Sequence, residues 1–265
     1  MRLFALLALA CTALLLGPSR LARAQEASAI EGESVTYRFD QKRFVYSRQA
    51  AGSLAYVPAN VDAGATVPVV VFFHGLNPDE KLHPELDGSA FDLRRAVDAL
   101  VRDGKVAPFV LAAPTHSRLA TGTRAMWHDF DLDRFLTTTQ EALGTRARID
   151  RSRVVLVGHS GGGCNPAAGI LAPNVAVHSI LAVDTCLDTE VSQRLLSLAQ
   201  RTDVRFFYQR GWKRPFEAFE EGCREAAHCS AQEIGELGTN PHREILAEAL
   251  RVALPKVLPA ATAKR

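Results

Sequence analysis

The sequence predicts an α/β domain: a mostly parallel central sheet with helices on both faces. Three observations lead there. Short apolar runs rich in β-branched residues alternate with stretches whose apolar residues recur at helical spacing, the order expected of βα units. The run Val67-Pro68-Val69-Val70-Val71-Phe72-Phe73 is apolar throughout, as a strand buried on both faces must be. The 265 residues, less a short leader, suit one domain with one sizeable core. No internal repeat or low-complexity linker divides the chain.

Taken in order, residues 34–47 and 52–57 read as extended stretches separated by a turn, an opening β-hairpin. Residues 67–73 are the buried strand just described. Residues 92–102 carry Leu93, Ala96, Val97, Leu100 and Val101 at helical spacing. Residues 109–113 form a strand closed by Pro114, and 132–143 a helix. Residues 154–157 are a strand, followed by a helix over 162–171. A strand over 179–183 and a helix over 191–200 follow, then a strand over 204–208. Residues 216–227 read as helical, 231–237 as a last short strand, and 244–257 as a closing amphipathic helix. In sheets of this kind ligands meet the carboxyl ends of the strands, so the residues just after each strand matter most.

The N-terminus has the anatomy of a secretory signal peptide. Arg2 is a short positive region, residues 3–16 are almost unbroken apolar, and Ala22-Arg23-Ala24 fits a small-x-small cleavage site. The alternative, a membrane anchor, needs about 20 apolar residues. Cys11 lies inside the apolar run and would leave with residues 1–24. Residues 25–33 are small and acidic and are expected to be flexible, leaving 34–265 as a single domain. Removing the three arginines of residues 1–24 from 31 Lys+Arg leaves 28, against 29 Asp+Glu. This near-neutral balance points to neither a nucleic-acid nor a membrane-surface partner. Four cysteines remain, Cys164, Cys186, Cys223 and Cys229. In an exported chain they permit two disulfides, with Cys223–Cys229 as the local pairing and Cys164–Cys186 its complement; four free buried thiols are the alternative. No C-x-x-C occurs, and the 8 histidines are scattered without metal-ligand spacing, so no metal or other cofactor is expected.

After the strand at 154–157 comes Gly158-His159-Ser160-Gly161-Gly162, the G-x-S-x-G of a nucleophile elbow. A sharp strand-to-helix turn would hold Ser160 strained, with its hydroxyl exposed. Side chains two positions either side would collide, so glycine is needed there. The Gly161 amide would then point to a developing oxyanion, helped by the field of a helix N-terminus. Three fixed positions recur by chance in roughly one chain in ten. The β-branched run before the motif and the small residues after it carry the weight. The alternative, a glycine-rich phosphate turn, lacks the Lys and the spacing of a P-loop.

Val70-Val71-Phe72-Phe73-His74-Gly75, Ala113-Pro114, and Ile149-Asp150-Arg151-Ser152-Arg153-Val154 leading into the elbow resemble the α/β-hydrolase superfamily. The similarity spans about residues 50–258 in order and spacing. It is closest to bacterial secreted esterases and depolymerase-like members. The resemblance implies that the loop His74-Gly75-Leu76-Asn77 supplies the second oxyanion N–H, from Leu76 or Asn77. Gly75 lets the backbone pass close to substrate, and His74 is expected to be structural. The implied order nucleophile, acid, histidine puts the base in a loop before the last helix. His242 fits; His228, between Cys223 and Cys229, is the competitor. The acid departs from the commonest pattern. The strand at 204–208 is followed by Gln209-Arg210-Gly211-Trp212-Lys213-Arg214, with no Asp. Asp184, after the preceding strand, takes the role, as in some members; otherwise Asp184 caps the next turn and Asp188 or Glu217 is the acid. Asp184 also brings Cys186 near Cys164.

No large cap is inserted. The longer gaps, 77–91 and 115–131, hold His83, His116, Met126, Trp127 and His128. Trp127 either lines a substrate pocket or packs on the sheet. His159, beside Ser160, is a further candidate for oxyanion or substrate binding, and Trp212 and Arg214 are candidates at the rim. The expected activity is hydrolysis of a small-molecule or polymeric carboxylic ester, by a protein exported to the periplasm or the medium. The same residues serve an amidase or peptidase. A non-catalytic binding module would be expected to have lost Ser160, His242 or the oxyanion loop. A wall- or carbohydrate-binding protein would need a row of exposed aromatics, and aromatics make up 7% of the chain, mostly Phe in core strands.

Overall fold

Side chains alternate across a strand, so a strand buried on both faces feeds two cores at once. This organises the molecule. The computed structural model describes residues 29–40, 52–116, 122–210 and 216–260. Its elements are β1 (Glu33–Tyr37), β2 (Ser53–Val57), β3 (Thr66–Phe73), α1 (Leu93–Arg102), β4 (Val110–Ala113), α2 (Leu132–Leu143), β5 (Arg148–His159), β6 (Ser179–Val183), α3 (Thr189–Leu198), β7 (Asp203–Gln209), α4 (Phe216–Glu225), β8 (Cys229–Ile234) and α5 (Pro241–Val257). The strands form one sheet of eight, in the order β1-β2-β4-β3-β5-β6-β7-β8. β1–β2 and β2–β4 are antiparallel, and all other neighbours are parallel. The expected mostly parallel sheet is therefore the one observed.

The alternation is direct. Val69, Val71 and Phe73 of β3 join Val154 and Leu156 of β5 and Ile180 and Ala182 of β6 in one core, beneath Phe135 of α2, Val191 and Leu195 of α3 and Phe219 of α4. Val70 and Phe72, Val155 and Val157, and Leu181 and Val183 point the other way, onto Leu93, Val97 and Leu100 of α1 and Ile245, Ala249, Leu250 and Leu254 of α5. Each side chain fully buried in this way contributes about 1.5–3 kcal/mol. Helix starts are capped as the sequence allows: Asp92, Asp131 and Asp188 accept backbone N–H groups at the first turns of α1, α2 and α3.

Three expectations change. The helix over 162–171 is absent. Two short 3-10 turns, Ser160–Gly163 and Gly169–Leu171, stand in its place. Gly161, Gly162 and Gly163 each disfavour helix by about 1 kcal/mol relative to Ala, and Pro166 lacks a donor. Asn165 Oδ1 takes the Ala167 N–H (3.1 Å), a local bond that competes with the helix ladder. The apolar spacing there reflects core packing instead, since Ala168, Ile170 and Leu171 are buried. The helix field invoked for Ser160 has no helix to supply it. The closing helix begins at Pro241, so His242 lies in its first turn rather than in the preceding loop. The Glu244 carboxylate reaches back to the amides of Gly238 and Asn240 and stabilises this earlier start. Lastly, the end of the stretch 25–33 is anchored: Glu31 N–H bonds Asp98 Oδ2 (2.9 Å) and Gly32 N–H bonds Tyr56 Oη (2.7 Å). Residues 1–28 and the hairpin turn at 41–51 lie outside the described residues.

Asp98 is a buried carboxylate under β2, and the Tyr56 hydroxyl donates to it at 2.5 to 2.6 Å. Removing one partner of a buried polar pair exposes its full desolvation cost. Tyr56→Phe is expected to lower unfolding free energy by about 1–3 kcal/mol in urea titration; an unchanged midpoint would show that this contact carries no weight.

Candidate active site

β5 runs up the middle of the sheet between β3 and β6. Its last residue, His159, pairs in register with Val183, the last of β6. Ser160 and Asp184 are therefore each the first residue past a matched pair, side by side at the carboxyl edge. Both have left-handed backbones, with φ of +52° at Ser160 and +48° at Asp184. For a non-glycine residue this conformation costs on the order of 1–3 kcal/mol and is held by its surroundings. At Ser160 those surroundings are glycine. A Cβ on Gly162 would sit 2.1 Å from the Phe73 carbonyl oxygen, and one on Gly75 would sit 2.7 Å from Ser160 Cβ. The turn is tight enough that neither position admits a side chain.

Asp184 is anchored from β7. Its amide donates to the Phe207 carbonyl (2.8 Å), and Gln209 Nε2 donates to its Oδ2 (2.6 Å). The same oxygen accepts from His242 Nδ1, with the carboxylate buried and the imidazole half-exposed. The bond to Asp184 favours the imidazolium. It outweighs the burial that opposes charge and, with the fields of Asp184 and Glu85, holds the His242 pKa above its ordinary 6.5. With Nδ1–H given to Asp184, Nε2 is the basic nitrogen. The His242 ring lies 4.7 Å, centroid to centroid, from that of His159, the residue before Ser160. Ser160 Oγ and His242 share no hydrogen bond among the described residues.

Across the elbow, the Leu76 amide lies 3.3 Å from where a Gly161 Cβ would be, and the Gly161 amide 3.2 Å from the Cβ position of Gly75. Both backbone amides thus lie close to the glycines that surround the Ser160 turn. Leu76 is 50% exposed, the one large hydrophobic side chain so placed among the described residues. Asn77 turns its side chain into its own loop: Nδ2 donates to the Lys81 carbonyl (2.8 Å) and Oδ1 accepts from the Lys81 amide (2.9 Å). His74 is buried, which pushes its pKa down to about 4 and keeps it neutral. It donates from Nδ1 to the Gly75 carbonyl (2.6 Å) and accepts the His116 amide at Nε2 (2.9 Å), stitching two loops together.

The remaining sequence candidates fall away from the site. Trp127 is 1% exposed; its ring packs on Phe73 and Phe130, and its indole N–H bonds the His74 carbonyl at 3.2 Å. It packs on the sheet and offers no face to a substrate. His159 is also shut in, because its ring turns toward the first turn of α5. His228 lies at the opposite, amino edge of the strands, where its carbonyl accepts the Val204 amide (2.8 Å). Asp188 caps α3 and pairs with Arg124, and Glu217 is an exposed residue of α4. Trp212 and Arg214 lie outside the described residues. Sequence reasoning missed Gln209 as a partner of the acid. It stands where an acid was sought after β7, and there its amide serves a carboxylate one strand over. Among the described residues no group of three or more His, Cys, Asp or Glu could hold a metal ion.

Two disulfides are formed, Cys164–Cys186 and Cys223–Cys229, separated by 22 and 6 residues in sequence. The first joins the turn after Ser160 to the turn after Asp184. The second ties α4 to β8, away from the site. On loop-closure entropy, removing the first costs about 3 kcal/mol and the second about 2 kcal/mol. Paired Cys→Ala variants should show that order in urea titration. Only loss of Cys164–Cys186 should also slow modification of Ser160; equal slowing in both pairs would deny the first its local role.

Similar folds are known. A mutant feruloyl esterase module from Clostridium thermocellum, complexed with sinapinate, superposes with a TM-score of 0.61 at 11% identity, over 88% of this chain and 89% of that one. A ferulic acid esterase gives 0.59 at 16% identity, over 86% and 98%. An S-formylglutathione hydrolase from Agrobacterium tumefaciens gives 0.55 at 15% identity, over 87% and 97%. At such identities the likeness is one of fold. No curated protein matches the chain significantly. The model of the alpha/beta hydrolase family matches residues 70–260, most of the sequence. With its sheet order and its strand-to-turn serine, the chain belongs to the alpha/beta hydrolase family.

Proposed function

We propose that the protein is an exported serine hydrolase of carboxylic esters. The observation that carries this reading is the Asp184–His242 hydrogen bond standing beside a left-handed Ser160. Asp184 orients the imidazole and stabilises its charged form. His242 Nε2 takes the Ser160 proton as Oγ attacks the ester carbonyl. The amides of Gly161 and Leu76 receive the oxyanion, in a site where backbone donors need no reorganisation. The imidazolium then protonates the leaving alcohol, and water repeats the sequence on the acyl-enzyme. A serine–histidine bond often tightens only when substrate is bound.

An ester rather than an amide is favoured by the solved relatives in fold, whose names are those of two esterases and an S-formylglutathione hydrolase. Residues 1–24 read as a signal, and two disulfides suit an oxidising compartment. No helix among the described residues is long and apolar enough to cross a membrane.

A fluorophosphonate probe should label the purified protein and fail on Ser160→Ala. With p-nitrophenyl acetate, kcat/KM should fall as pH drops through the His242 pKa, which lies above 6.5, because the base must be neutral. Asp184→Asn should lower the rate by about 10³–10⁴-fold and move that acid limb to lower pH, since the carboxylate that favoured the imidazolium is gone. Labelling that persists in Ser160→Ala, or none in the folded wild type, sinks the proposal.

A further inference from the structure

The nucleophile and the base come from different elements, β5 and the first turn of α5. Something must fix their separation. His159 precedes Ser160 by one residue, and its side chain is 2% exposed. Its Nε2 bonds the main-chain carbonyl of His242 at 2.7 Å. A carbonyl only accepts, so Nε2 donates. On the other side of the ring, Nδ1 meets Glu85 Oε1 at 3.2 Å.

Glu85 is an unusual residue to find there. Its side chain is 14% exposed, in the loop between β3 and α1, and its backbone has a left-handed φ of +57°. Its carbonyl accepts the Leu93 amide (3.0 Å), which locks it to the start of α1. Its second oxygen, Oε2, is buried without a hydrogen-bond partner. A strained, incompletely satisfied buried carboxyl costs stability and is retained where it does something else. Burial alone would raise the Glu85 pKa. The His159 bond and the fields of His159, His74 and Arg243 together outweigh it and hold the carboxyl below its ordinary range.

We infer that Glu85 and His159 form a positioning pair that grips the backbone of His242 and so sets the base at its working distance from Ser160 and Asp184. The inference rests on the hydrolase reading above. Its mechanics are short. Glu85 fixes the rotamer of the His159 ring; the ring holds the His242 carbonyl and lies along the His242 imidazole, tilted by 33°. The first turn of α5 cannot move away from the elbow without breaking that bond. A misplacement of about 1 Å between reacting groups is enough to cost about 100-fold in rate. Glu85 makes no contact with the Ser160 hydroxyl or the His242 imidazole; it positions the base through His159, and its field adds to that of Asp184 on the imidazole.

The test compares Glu85→Ala with Glu85→Gln in the full chain. A glutamine amide can donate to Nδ1 and keep the ring in place without the charge. With p-nitrophenyl acetate, Glu85→Ala should lose about 10- to 100-fold in kcat with KM little changed, the size of effect that a misplacement of up to about 1 Å between reacting groups brings. Glu85→Gln should restore most of it. The far-downfield proton resonance of the His242–Asp184 hydrogen bond reports the geometry without activity. It should persist in wild type and Glu85→Gln and weaken or vanish in Glu85→Ala. Thermal unfolding of each variant separates lost fold from lost position. Equal kcat in wild type and Glu85→Ala overturns the inference. So does an equal loss in both variants, or an unchanged resonance in a folded Glu85→Ala. Fluorophosphonate labelling of wild type against Ser160→Ala keeps the two claims apart: failure there removes the hydrolase reading, whereas normal labelling with an indifferent Glu85→Ala removes only the positioning pair.

Discussion

The site depends on how closely the ends of β3 and β5 approach one another. Gly75 and Ser160 are in near contact, and Gly162 lies against the Phe73 carbonyl, so that even a methyl group would collide at either glycine. This closeness forces Ser160 into a left-handed backbone that a serine does not choose on its own. It also brings the Leu76 and Gly161 amides close to the same turn. The buried His74, bonded to the Gly75 carbonyl and the His116 amide, keeps the loop pressed down. In most enzymes built this way a helix follows the nucleophile. Here glycines and Pro166 give a 3-10 turn instead, and the Cys164–Cys186 disulfide ties that turn to the one after Asp184.

The Asp184–His242 contact depends on how two neighbouring strands end. β6 and β7 are adjacent and in register, with Val183 opposite Phe207. The carboxylate that reaches the histidine of α5 comes from the end of β6. In this chain it sits at Asp184, and the position on β7 where it would otherwise stand carries Gln209, whose amide donates to Asp184. A second carboxylate there would repel the first. The exchange is self-consistent: the displaced position becomes the donor.

Much of this was legible in the sequence. The strands over 67–73, 179–183 and 204–208 announce themselves as apolar runs because both of their faces are buried. G-x-S-x-G is legible because steric exclusion dictates glycine. Less was legible where a side chain's role is set by what lies across the fold. His159 reads as a candidate at the site from its place beside Ser160, yet its strand points it into α5. Trp127 reads as equally suited to pocket and core, and only packing places it against Phe73 and Phe130. The role of Glu85 gives no local signal, since the partner of its side chain, His159, is 74 residues away. The false helix over 162–171 has a different cause. Its apolar spacing is real, but glycine, proline and an Asn side chain that bonds its own backbone outweigh it.

The most direct test of the account is the structure of the protein after reaction with a phosphonate ester that mimics the tetrahedral intermediate. The account predicts phosphorus bonded to Ser160 Oγ, a phosphoryl oxygen within hydrogen-bond distance of both the Leu76 and Gly161 amides, and His242 Nε2 facing the remaining oxygen. Phosphorus on another residue, or a phosphoryl oxygen turned away from those two amides, would contradict it.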